Sequence, residues 1–287
     1  MIRKNISLLL LLLFLMPFAA FSQQPQTTPN SASSGTNRTF TVNGVSFTMV
    51  FVQGGTFTMG ATAEQGSDAG DSEKPAHSVT LSDYYIGETE VTQELWQAVI
   101  GRNPSRFKGN IRPVEFVSWD DCQTFITKLN DLTGQRFRLP TEAEWEFAAR
   151  GGNSSRGYKY AGSNTLGNVA WYWQNSGNKY LSGTDGDWDF DKIESNKCQT
   201  HNVATKSPNE LGIYDMSGNV DEWCNDWYDE NYYSNSPQSN PQGPSSGSGR
   251  VGRGGSWLNF ARHCRVAIRD YSSPDYRSDH LGFRLAF

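Results

Sequence analysis

The sequence predicts one α+β domain with little regular secondary structure, and two observations carry that prediction. The first is composition: 28 Gly and 12 Pro stand beside 9 Trp and 12 Tyr in a chain of 287 residues whose mean hydropathy is −0.60. Aromatic side chains bury large areas each, so a few Trp and Tyr anchors can hold long irregular segments in place. The second is order along the chain, with short strand patterns early and three capped helical patterns after them.

Residues 1–22 read as a cleaved secretory signal. Arg3 and Lys4 precede an apolar run from Ile6 to Phe21, and Ala20 and Ser22 supply the small residues a signal peptidase needs before Gln23. The run falls short of the roughly 20 apolar residues of a membrane span, and no cysteine follows the cleavage point to carry a lipid. The mature protein is therefore expected to be secreted, periplasmic or at the cell surface, without a membrane span. Residues 23–38 are polar, lack an apolar period and read as a flexible linker. One compact domain, 39–287, remains.

Within that domain Phe47–Val52 and Thr56–Met59 flank Gly54-Gly55 and read as a hairpin, and His77–Leu81 alternates as a further strand. Thr92 is placed to cap a helix to Ile100 with Leu95, Trp96 and Val99 on its apolar side. Ser118 opens a longer helix whose Cys122, Phe125, Ile126, Leu129 and Leu132 share one face. Thr141 and Glu144 form a capping box after Pro140, and Trp145, Ala148 and Ala149 supply the buried side. Residues 229–249, rich in Asn, Ser, Pro and Gly, read as an exposed loop.

Charge and motifs exclude several functions. Removing Arg3 and Lys4 with the signal leaves 23 Lys plus Arg against 30 Asp plus Glu, a net charge of −7. A nucleic-acid partner, which needs a concentrated basic face, is not expected. His77, His201, His263 and His280 lie in unrelated contexts, and neither a GxSxG nor a Walker-type sequence occurs. Cys122, Cys198, Cys224 and Cys264 stand in an oxidising context. Four cysteines allow three complete connectivities, which sequence alone leaves open. No CxxC or His/Cys cluster suggests structural zinc.

The segment 253–287 interleaves a fixed frame with an irregular filling. The frame reads Arg253-Gly254-Gly255-Ser256-Trp257, Ala261-Arg262, Cys264-Arg265-Val266-Ala267, Arg269, Pro274-Asp275, Arg277 and Leu281-Gly282-Phe283-Arg284-Leu285-Ala286. The filling is Leu258, Asn259, Phe260, His263, Ile268, Asp270, Tyr271, Ser272, Ser273, Tyr276, Ser278, Asp279 and His280. None of these thirteen is Lys, Glu, Gln, Met or Trp, the five types that a codon ending in C or T cannot encode. Those types make up about one residue in five of average composition, so chance alone gives thirteen misses with a probability of about 0.05. The filling has the character of a surface built to vary.

Several motifs resemble the formylglycine-generating enzyme family, also called sulfatase-modifying factors. They are Val91-Thr92, Pro113-Val114, Val117-Ser118-Trp119, the run from Phe137 to Glu146, Gly218-Asn219-Val220-Asp221-Glu222-Trp223 and the C-terminal frame. Within that family the frame and filling are most similar to the variable proteins of diversity-generating retroelements. The resemblance spans about Phe47 to Phe287 and implies a C-type-lectin-like fold. In the enzymes, as the resemblance has it, two cysteines hold a copper(I) ion after a Gly-Gly-Ser-Tyr segment. Here Asn259 falls at the first position and Cys264 at the second. An amide does not replace a thiolate toward this soft ion, so copper is not expected.

The resemblance also implies calcium, with Asp215, Gly218, Val220 and Glu222 matching one loop and Asn168 and Val169 the start of a second. Cys224, at a place where the active enzymes need no thiol, is expected to bridge Cys264. The expected function is non-catalytic recognition of a protein or glycan ligand through the thirteen filling residues. The alternatives are the copper-dependent oxidase and a structural envelope component.

Overall fold

The computed structural model describes residues 35–287. The expected signal segment and most of the expected linker lie outside the described residues. The chain opens with β1 (Arg38–Val42) and β2 (Val45–Val52), an antiparallel ribbon turned by Asn43-Gly44. Both turn residues take positive φ, 48° and 84°, as a two-residue hairpin turn with the right twist requires. The strand β5 (Tyr84–Gly87) adds to the free edge of β2, and β3 (Gly55–Met59) pairs with β4 (His77–Leu81) as a separate ribbon.

The hairpin expected across Gly54-Gly55 is therefore corrected: both strands exist, but in different sheets. The Gly54 N–H donates to Asp83 Oδ1 at 2.8 Å, and a Cβ at Gly54 would lie 2.3 Å from the Leu81 carbonyl oxygen. The glycine packs against the β4–β5 connection, so the chain turns a corner there instead of folding back.

All three expected helices form behind their caps. Thr92 precedes α1 (Gln93–Ile100), Ser118 precedes α2 (Trp119–Thr133) and Thr141 precedes α3 (Glu142–Ala149), each hydroxyl accepting a backbone N–H of the first turn. Leu132, expected on the buried face of α2, is 53% exposed because the last turn runs past the core. Every residue of α3 is buried, including Glu142, Glu144 and Glu146. Such a helix needs internal cations rather than one wet face.

Two short helices, α4 (Leu166–Val169) and α5 (Phe190–Ser195), punctuate a long irregular stretch. The last sheet contains β6 (Asp221–Trp227), β7 (Arg250–Arg253), β8 (Asp270–Ser272) and β9 (Leu281–Gly282) in the order β8-β7-β6-β9. Only β6 and β9 run parallel. The C-terminus closes on the first sheet, where Gly87 donates to the Leu285 carbonyl and Tyr85 exchanges bonds with Phe287. The 229–249 loop is largely exposed, but Tyr233 anchors it in the core at 2% exposure.

Candidate functional site

Four frame arginines hold the C-terminal segment to the rest of the domain. Arg265 clamps Glu73 at 2.6 and 2.8 Å, Arg269 clamps Glu142 at 2.7 and 2.9 Å, and Arg284 clamps Glu222 with two bonds of 2.6 Å. Arg253 pairs with Glu146 and donates to the carbonyls of Val266, Ala267 and Ile268. All four arginines are at most 6% exposed. Burial opposes the charge of Glu142, but Arg269 and Arg253 outweigh it and hold that carboxyl below its usual range. Two-pronged guanidinium–carboxylate contacts of this kind fix orientation as well as charge.

These pairs do the anchoring that was expected of a Cys224–Cys264 bridge, and that expectation is corrected. All four cysteines are free and buried. Cys224 packs with α3 in one core cluster, while Cys264 packs with Trp173, Trp257 and Cys198 in another. Cys122 sits in a third, on the buried face of α2. Burial pushes the thiols of Cys224 and Cys264 well above their ordinary pKa.

Burial divides the last 35 residues almost cleanly between frame and filling. Every frame residue is buried except Ala261, Arg262, Pro274, Asp275 and Arg277, whereas twelve of the thirteen filling residues are partly or fully exposed. The exception is Ser278, whose hydroxyl meets His280 Nδ1 at 2.6 Å. The frame's glycines make this geometry accessible. Gly255 takes φ 68°, and a Cβ there would lie 2.4 Å from the His263 carbonyl oxygen, so the 261–264 turn can lie directly on it.

Seven filling residues line two adjoining clefts. The larger, about 170 Å3, takes Asn259, His263, Ile268 and Asp270. The smaller, about 30 Å3, takes Asp270, Tyr271, Ser272 and His280. Asp221, the first residue of β6, lies in both and accepts the Gly255 N–H at 2.9 Å. Burial, then the Asp270 carboxylate, raises Asp221 to about 7. Burial works against charge on His280, but the Asp279 and Asp221 carboxylates outweigh it and raise its pKa.

Burial and then Arg262 lower the pKa of His263. Leu258 and Phe260 lie to one side, where Trp188 donates to the Leu258 carbonyl at 2.8 Å and stacks obliquely with Phe260. Tyr271 stacks on Tyr228 with centroids 4.2 Å apart, and Asp279 pairs with Arg106. Ser273 and Tyr276 occupy the exposed connection beyond β8, joined by a backbone bond of 2.9 Å.

Sequence reasoning missed Asp221, Trp188, Arg106 and Tyr228 as neighbours of the face. It also missed Phe116, which is 45% exposed, takes φ 65° and donates its N–H to the Ser278 carbonyl. No local pattern marks these residues, because each reaches the face from a distant segment. Asp221 stood inside a recognised motif, and that motif was its only signal.

Asn259 Oδ1 already accepts the Ser256 hydroxyl, and Cys264 offers one buried thiol, so the pair does not fit a two-thiolate copper(I) centre. Both oxygens of Glu222 are held by Arg284, with the Trp145 Nε1–H a further donor at 2.7 Å. Asp215 gives one oxygen to the Ala204 N–H and leaves the other buried without a partner, and burial raises its carboxyl to about 6.

Gly218 sits at φ 79° close against the Trp171 carbonyl, and Glu90 is engaged by the Val220 N–H and the Asn219 side-chain amide. Asn168 is exposed with its carbonyl taken by Ser207, and Val169 is buried. A hard cation needs several free oxygens in one shell. Around Glu222 the guanidinium of Arg284 supplies the positive charge, so this carboxylate does not fit the part of a calcium ligand. Among the described residues no group of three or more His, Cys, Asp or Glu is arranged to hold a metal ion, and no helix is long and apolar enough to cross a membrane.

The fold and site together define a C-type-lectin-like domain that presents one irregular face on a buried ionic frame. The family described as sulfatase-modifying factor enzyme 1-like domain matches residues 35–287, and the chain belongs to it. It is 40% identical to the chaperone protein LppX of Paenibacillus barcinonensis over 78% of this chain and 83% of that protein. It is 33% identical to the formylglycine-generating enzyme of Streptomyces coelicolor over 83% and 88% respectively. Its structure is similar to that of Treponema denticola variable protein 1, with a TM-score of 0.73 and 37% identity over 88% of this chain and 99% of that one.

Proposed function

We propose that this protein is an exported, non-catalytic binding protein of the retroelement-diversified kind, which recognises a protein or glycan through its C-terminal face. The observation that carries this reading is the division of burial: twelve filling residues reach solvent while the arginines, glycines and aliphatic residues that moor the frame do not. Substitutions at exposed positions away from packed features usually shift stability little, so many different faces can rest on one frame. Phe260, Tyr271 and Tyr276 offer aromatic area, and Asn, Asp, His and Ser around them offer adaptable hydrogen bonds. The likeness to a Treponema denticola protein named as variable supports the same reading.

The gene tests it. The thirteen codons are expected to end in C or T, beside a near-copy of the segment with AAC triplets and a reverse-transcriptase gene. Several of those codons ending in A or G would overturn the proposal. A second reading, a copper-dependent formylglycine-generating oxidase, draws on the 33% identity to the Streptomyces coelicolor enzyme. It predicts that the purified protein, given copper, oxygen and a peptide with a Cys-x-Pro-x-Arg motif, forms an aldehyde. With a single sulfur at the site, no aldehyde is expected.

A further inference from the structure

A separate cavity of about 210 Å3 is lined by none of the thirteen filling residues. Phe107 and Trp257 contribute aromatic rings that meet edge to face, centroids 5.2 Å apart. Ile193 and Phe190, both on α5, add apolar surface, and Phe190 is 54% exposed despite its size. Three charged residues, Arg106, Lys197 and Glu194, also line it, and all three are exposed. Arg106 is paired with Asp279 outside the cavity, so Lys197 is the lining cation without a carboxylate partner. The lysine ion pairs of the described residues are Lys74–Asp71 and Lys159–Asp68, which leaves Lys197 free. Lys197 also holds φ 55°, a backbone conformation uncommon for its type.

Size and charge together select a ligand class. A dry protein cavity of about 150 Å3 accepts benzene, so this one has room for a single six-membered ring with a short substituent. From this we infer that the cavity binds a small aromatic carboxylate, its ring against Phe107, Trp257 and Ile193 and its carboxylate toward Lys197 and Arg106. Arg106 also reaches the filling residue Asp279, since its guanidinium pairs with Asp279 at 2.5 Å and Trp257 Nε1 donates to the Asp279 carbonyl at 3.0 Å. Ligand carboxylate and Asp279 therefore compete for one cation, and the residue at position 279 tunes the affinity of a site it does not line. The inference does not depend on a binding role for the face, so its failure would leave that reading untouched.

Phenylacetate titrated onto the full chain, followed by calorimetry or ligand-observed NMR, tests this. A ligand of about ten non-hydrogen atoms at ordinary efficiency gives a Kd of about 1 mM. Benzyl alcohol, with the ring but no charge, is expected to bind about fivefold more weakly. Lys197→Asn removes the free cation at a position whose backbone suits Asn and is expected to weaken phenylacetate binding about fivefold. Asp279→Asn releases Arg106 and is expected to tighten it by a similar factor. Ile193→Phe fills the cavity and abolishes binding. Absence of binding at about 10 mM phenylacetate, equal affinity for benzyl alcohol, or indifference to both Lys197→Asn and Asp279→Asn would overturn the inference. Lys197 is exposed and Asp279 partly so, and both substitutions leave the core intact. The test therefore does not depend on Ile193→Phe folding.

Discussion

Two kinds of arginine lie within the last 35 residues, and they do opposite work. Arg253, Arg265, Arg269 and Arg284 are buried and each meets a buried glutamate. Arg262 and Arg277 are exposed and reach Asp185 at 3.3 Å and Asp121 at 2.7 Å. Breaking a buried pair strands an uncompensated charge at a cost of about 3–5 kcal/mol, whereas an exposed pair contributes about 0–1 kcal/mol. The comparison teaches that stability in this segment belongs to the buried part of the frame and not to its exposed arginines.

The strongest way to break that comparison is Arg265→Ala beside Arg277→Ala. The first is expected to lower unfolding free energy by about 3–5 kcal/mol and Tm by on the order of 10 °C. The second should cost under about 1 kcal/mol in the same denaturant titration. Equal losses would end the distinction between the buried and the exposed arginines of the frame.

Asp221 sharpens the comparison from beneath the face. Its folded pKa of about 7 lies above the ordinary 3.8, so the folded state holds this proton more tightly than the unfolded chain does. The stability it contributes is complete below about pH 4 and is lost as pH rises through about 7. Asp221→Asn keeps an oxygen for the Gly255 N–H and cannot ionise. Its stability relative to the unmodified protein is expected to improve by about 2–4 kcal/mol between pH 4 and pH 8. A pH-independent difference in urea titrations would show that Asp221 is not strained by burial.

Smaller effects test the edges of the face. Phe116 combines a left-handed backbone with an exposed ring, so Phe116→Asn is expected to stabilise the domain by about 0.5–1 kcal/mol. A fall in Tm would mean that the ring packs usefully. Adding millimolar calcium, or removing it with a chelator, is expected to move Tm by less than about 1 °C, because Arg284 already neutralises Glu222. A rise of several degrees would restore a calcium site.

Legibility differed sharply between elements. Thr92, Ser118 and Thr141 were readable as caps because the cap bond spans three residues, and the first strands were readable from their alternation. The Gly54-Gly55 corner was not, since its reason is Asp83 and Leu81, nearly thirty residues further along. The exposed positions of the last 35 residues coincide largely with the filling, which the residue types missing from it set apart in the sequence. Asp221 beneath them was marked only by its motif, and Trp188 and Arg106 at the flanks by nothing, as they arrive from separate segments.

The sequence by itself determined the helix starts, the family and the alternation of frame with filling, because each is written in neighbouring residues. Only the tertiary structure decided that buried arginines, rather than a disulfide, moor the C-terminal segment. Their glutamate partners stand 62 to 192 residues away along the chain. An ion pair over such a distance depends on where the whole fold delivers each side chain, and on the absence of water that makes the pairing obligatory once they are buried.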